Sequence, residues 1–128
     1  MRVLVLAGGF DQIALINELK SRGHYVILAD YYENPMAKPA ADKHYQVSTL
    51  DVDQIGKVAV DEKVELITTA CTDQALLTVA QVSEKLGLPC YLDHQTGLNV
   101  TNKEYMKQRF VDFSVPTAHH IIVDSTAD

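Results

Sequence analysis

The sequence predicts an α/β fold, a doubly wound parallel sheet of about five strands with helices on both faces. Three observations carry this reading. The runs Val3-Leu4-Val5-Leu6-Ala7 and Tyr25-Val26-Ile27-Leu28-Ala29 are wholly apolar and Val64 to Ala70 is mainly so, and a strand without polar alternation needs cover on both faces. Segments with helical spacing separate these runs, and strands joined through helices pair in parallel by right-handed crossovers. The chain has 128 residues, 47% hydrophobic and 22% charged, which suits one domain that needs neither disulfide nor metal to fold.

Each element follows from local signals. Gly8-Gly9 ends the first strand, and Ile13, Leu15, Ile16 and Leu19 form an apolar stripe on a helix from Asp11 to about Arg22, stopped by Gly23. Asp30 closes the second strand. Asn34-Pro35 and Lys38-Pro39 make 31–42 loop-like. A short strand is expected over His44 to Val47, then a helix from Asp51, where Asp51 and Gln54 resemble a capping box. After the third apolar run, a helix spans Asp73 to Leu86 with Ala75, Val79, Val82 and Leu86 on one face, ended by Gly87 and Pro89. Cys90-Tyr91-Leu92 reads as a short fifth strand and His94 to Val100 as a small helical turn. Thr101 and Glu104 suggest a second capping box, opening a helix to about Asp112 with Met106, Phe110 and Phe113 facing inward. His119 to Val123 reads as the start of another strand.

Composition narrows the function classes. Eleven Lys and Arg against 17 Asp and Glu leave a formal charge of -6, which argues against nucleic acid or an anionic membrane as partner. No apolar run approaches the roughly 18 residues of a membrane span, and Met1-Arg2 leads straight into a strand rather than a signal peptide. Cys71 and Cys90 lack metal-ligand spacing and read as buried thiols of a reducing compartment, so a cytoplasmic location is expected. A strand would send His119 and His120 to opposite faces, and no metal site is assigned.

Sheets of this class bind ligands at the carboxyl ends of their strands. Those ends carry Gly8-Gly9-Phe10-Asp11, Asp30 and Cys71-Thr72-Asp73. Gly8 and Gly9 permit a tight turn and bring backbone amides to the next helix, where an anionic group is welcome. A plain strand-to-helix turn needs the same glycines. Asp30 lies roughly 20 residues on, where a dinucleotide-binding acid holds ribose. The dinucleotide fingerprint is incomplete, since Ala7, Gly9 and Gln12 occupy its glycine positions. Asp73 suits helix capping or the reception of an amine or hydroxyl group. Lys103, Lys107 and Arg109 form the dense basic group of the second half, with Lys103 and Lys107 on one side of their helix.

Taken in order, Val5-Leu6-Ala7-Gly8-Gly9, Gly23-His24-Tyr25-Val26-Ile27-Leu28-Ala29-Asp30, Pro39-Ala40-Ala41-Asp42, Thr69-Ala70-Cys71-Thr72-Asp73, Glu84-Lys85-Leu86-Gly87-Leu88-Pro89, Thr101-Asn102-Lys103-Glu104-Tyr105-Met106-Lys107 and Val115-Pro116-Thr117 span nearly the whole chain. This succession resembles the amino-terminal, or pre-ATP-grasp, domain of an ATP-grasp ligase. It is nearest to carbamoyl-phosphate-synthase-like proteins and to the formate-dependent phosphoribosylglycinamide formyltransferases. The resemblance implies a Rossmann-like domain over 1–100, with 101–128 a helix and a strand leading into an ATP-grasp domain that the 128 residues do not include.

It also implies roles. Gly8, Gly9, Phe10 and Asp11, with Thr72 and Asp73, would border the site of a small-molecule acceptor substrate, and Lys103 would touch ATP phosphates. The full-length enzyme would use ATP and magnesium to activate a carboxylate as an acyl phosphate, which an amine then attacks. No cofactor is expected to bind tightly to these 128 residues, and no ATP hydrolysis or micromolar Mg-ATP binding is expected of them. The formyltransferases resemble Gly-Glu-Leu-Gly in the first loop and Pro-Glu-x-Glu after the third strand. Here Gly9-Phe10-Asp11-Gln12 and Thr69-Ala70-Cys71-Thr72-Asp73 stand instead; the carboxylates expected to hold glycinamide ribonucleotide are absent or displaced, and the resemblance does not name the acceptor. The alternatives are a self-contained Rossmann-type nucleotide-binding or regulatory module, and a receiver-like domain, which the missing acid pair disfavours. A homodimer stays open.

Overall fold

The computed structural model describes residues 1–123. Its elements run β1 (Arg2–Leu6), α1 (Phe10–Ser21), β2 (Tyr25–Asp30), a 3-10 turn (Lys38–Ala40), β3 (Lys43–Gln46), α2 (Val52–Asp61), β4 (Leu66–Thr68), α3 (Asp73–Leu86), α4 (His94–Thr101) and α5 (Lys103–Asp112). The sheet has four parallel strands in the order β3-β2-β1-β4. Strand β1 is central, pairing Val3 with Val26 on one side and Leu66 on the other.

Double winding is visible in the core. Successive side chains of a strand point to opposite faces, so Val3, Val5, Val26 and Leu28 pack with Ile16 of α1. Leu4, Leu6, Ile27, Ala29 and Ile67 pack with Ile55 and Val58 of α2 and Ala75, Val79 and Val82 of α3. All of these strand residues are buried, as uniformly apolar runs require. Asp51 caps α2 by accepting the Gln54 amide at 3.0 Å and the Gln54 side chain at 2.7 Å, as its spacing predicts.

Four expectations need correction. Cys90-Tyr91-Leu92 is not a strand. Pro89 and the Asp93 cap of α4 leave only three residues between them, Cys90 and Leu88 pack on the core, and Tyr91 is 67% exposed. His119 to Val123 forms no strand either. Ile121 and Val123 are exposed and no sheet edge among the described residues meets them, while 124–128 lie outside the described residues. The second cap is Asn102, whose side chain accepts the Tyr105 amide at 3.0 Å. Thr101 is still helical in α4 and donates its hydroxyl to Gly97 O at 2.8 Å; a cap needs the extended backbone that Asn102 adopts. Met106 and Phe110 are half-buried, but Phe113 lies beyond α5 and is exposed.

Candidate functional site

The carboxyl ends of β1 and β4 are neighbours, and both chains leave the sheet in a rare conformation. Ala7 and Cys71 have φ of 70° and 53°, the left-handed region that non-glycine residues seldom enter and that clusters at functional sites. The Thr69 hydroxyl donates to Leu6 O at 2.8 Å, joining the two exits. Cys71 is exposed, contrary to the buried thiol expected, because its left-handed turn carries it out of the core. Cys90 is half-buried.

Gln12 ties the two loops together. Its side chain is buried, and its Nε2 donates to Ala70 O at 2.5 Å and to Thr72 Oγ1 at 3.2 Å. In the sequence Gln12 fills a fingerprint-glycine position and draws no other site role. The available signal was its spacing of four from Ile16, which places it on the inward face of α1. Through this bridge Gly9, at the start of α1, and Thr72, at the start of α3, stand on one side of the sheet. Phe10 and Asp11 occupy the first turn of α1, exposed.

The Asp30 carboxylate is engaged by the backbone of its own turn. It is buried, and its Oδ2 accepts the Gly8 amide while Oδ1 accepts the Tyr32 amide, both at 2.7 Å. A carboxylate holding two backbone amides is an anchor for the turn. A Cβ on Gly8 would lie 2.5 Å from Pro35 Cβ, so glycine is required here by close packing. Between Gly8, Gly9 and Asp30 on one side and the 32–36 segment on the other lies a crevice of about 520 Å³. Thr72 and Asp73 do not line it; they stand across the glycine loop, on the β4 side.

Asp73 opens α3 and meets Lys103, the first residue of α5, at 2.8 Å between Oδ2 and Nζ. Gly97 of α4 faces α3. A Cβ there would sit 3.4 Å from Ala80 Cβ, so α4 packs closely on α3 and delivers Asn102 and Lys103 to the amino end of α3. Both partners of the ion pair are two-thirds exposed. The Thr72 side chain makes no helix cap; its hydroxyl donates to Ala70 O at 3.1 Å. Lys107 turns away to Thr117. A cavity of about 840 Å³ between the second half of α3 and residues 88–96 includes none of the predicted site residues. No group of three or more metal-ligating side chains occurs among the described residues. No helix among them is long and apolar enough to cross a membrane.

The four-stranded parallel sheet with its flanking helices shares its fold with the amino-terminal part of solved ATP-grasp enzymes. Phosphoribosylglycinamide synthetase from Anaerococcus prevotii superposes with a TM-score of 0.76 at 23% identity, over 97% of this chain and 32% of that one. N5-carboxyaminoimidazole synthetase from Staphylococcus aureus, solved with ADP, gives 0.61 at 18% identity, over 84% and 29%. In sequence, the chain is similar to formate-dependent phosphoribosylglycinamide formyltransferase of Haemophilus ducreyi, 26% identical over 127 residues. That match covers 99% of this chain and 32% of the relative, so the chain spans about a third of the protein it resembles. No family model matches the chain.

Proposed function

We propose that these residues form the amino-terminal domain of an ATP-dependent carboxylate–amine ligase, or a related acyl-phosphate-forming enzyme. The domain contributes one wall of the acceptor site and is catalytically incomplete by itself. Residues 101–128 then lead into the ATP-grasp part. One observation carries the reading: Lys103, the residue that the resemblance assigns to ATP phosphates, sits 2.8 Å from Asp73, assigned to the acceptor. An acyl phosphate and the amine that attacks it must meet within near-attack distance, so residues serving the two must be neighbours. Magnesium and phosphate-holding groups supply most of the charge stabilisation in phosphoryl transfer, and those groups would come from the remainder of the enzyme. Asp30, engaged by two amides, disfavours the reading as a self-contained dinucleotide module.

The test is an amide-resolved NMR titration of the 128-residue chain with millimolar Mg-ATP. Shifts centred on Lys103 and the start of α3, absent in Lys103→Met, are expected. Shifts that survive Lys103→Met, or that centre on Asp30, would replace this reading with a dinucleotide-type module.

A further inference from the structure

We propose that the crevice on the β2 side of the glycine loop holds the end of the acceptor remote from its reacting amine, and that this end is a flat apolar ring bearing an ammonium group and not a sugar phosphate. This rests on the reading that the glycine loop borders the acceptor. The crevice, about 520 Å³, is of the size that holds small organic ligands. Its apolar surface comes from Tyr32 and Met36, which are 69% and 59% exposed. Tyr31 stands edge-on to Tyr32, with ring centroids 5.5 Å apart, and Phe10 is exposed at the start of α1. Large exposed rings gathered at the ligand-binding end of a sheet mark a binding surface.

The wall carrying these rings is held before any ligand arrives. Asp30 grips the amides of Gly8 and Tyr32. The Ala37 amide donates to Gly8 O at 3.0 Å. Lys38 Nζ donates to Glu33 O at 2.7 Å and Asn34 Oδ1 at 2.9 Å. Pro35 is buried against Gly8. A ring on a fixed backbone loses little freedom on binding, which favours stacking.

Charge then selects the ligand. The ionisable groups lining the crevice are Asp30 and Glu33, both acids. Asp30 is occupied by its two amides, whereas the Glu33 carboxylate accepts no hydrogen bond among the described residues and can meet an ammonium group. The nearby cation, Lys38, is turned to the loop's own oxygens. The amino end of α1 carries about half a positive charge against two carboxylates, so phosphate meets net repulsion here, and a cation over the Tyr32 face meets attraction.

The experiment is an amide-resolved NMR titration of the chain with phenethylamine, phenylacetate and ribose 5-phosphate. Phenethylamine is expected to move the Gly8, Gly9 and Tyr32 amides with millimolar affinity, about fivefold more tightly than phenylacetate. Tyr32→Ala should weaken it by about fivefold, and Glu33→Gln should narrow its advantage over phenylacetate. Both positions are exposed, so neither variant threatens folding. Phenylacetate binding as tightly as the amine, or no probe moving these amides, overturns the inference. Ribose 5-phosphate moving them while phenethylamine does not also overturns it, yet leaves the glycine loop as the acceptor wall. The Lys103→Met titration judges the ligase reading separately, because Lys103 does not line this crevice.

Discussion

Replacing Gly8 by alanine should destabilise the domain far more than the same change at Gly9, though the two are adjacent. A Cβ at Gly8 would lie 2.5 Å from Pro35 Cβ, 2.9 Å from Pro35 Cγ and 3.2 Å from Asp30 Oδ2. Carbon atoms rest about 3.5–4.0 Å apart, so the methyl group overlaps a rigid, buried ring by about 1 Å. The loop must shift, and with it the Gly8 amide that donates to Asp30. Overpacking of this kind costs about 1–3 kcal/mol, and a hydrogen bond to a charged acceptor contributes about 1.5–3 kcal/mol. Because the two losses overlap, a total near 3 kcal/mol is expected for Gly8→Ala. At Gly9 the nearest obstacle is Gln12 Oε1 at 3.1 Å, the end of a side chain, and less than about 1 kcal/mol is expected. Urea denaturation measures both, as a drop in midpoint with unchanged slope. A Gly8→Ala loss within about 0.5 kcal/mol of zero, or a larger loss at Gly9, would refute the packing argument.

Glu62 accepts hydrogen bonds from Lys43 at 2.5 Å, from the Tyr45 hydroxyl and from Arg2, and these hold its carboxyl at about 2 instead of 4.5. A depressed carboxyl stabilises above its unfolded value, so this contribution should fade as pH falls from about 4.5 through about 2, and Glu62→Gln should flatten that part of the stability–pH curve. The exposed Asp73–Lys103 pair contributes less than about 1 kcal/mol, so Asp73→Asn and Lys103→Met should stay folded with nearly unchanged urea midpoints. Cys71, exposed at its turn, should react with a thiol reagent under native conditions well before half-buried Cys90; equal rates would place Cys71 in the core after all.

What the sequence determined by itself was the alternation of strand and helix, the centrality of β1, the limits of α3 at Asp73 and Leu86, and the Asp51 cap. Each follows from short-range causes: the periods of side-chain direction, the burial that an unbroken apolar run demands, and a cap three residues from its amide. The same local signals failed at 90–92 and 119–123, where apolar residues have strand propensity but no neighbouring strand to pair with. The candidate site was legible as a set of strand ends, yet its working connections were not. Asp30 serves the Gly8 amide 22 positions away, Gln12 reaches Thr72 across 60, and Lys103 meets Asp73 across 30. No sequence spacing encodes such partners, because a polar side chain finds its acceptor through distance in space. That distance exists only once β1 lies between β2 and β4, and once α4, lying close on α3, has carried α5 to the site.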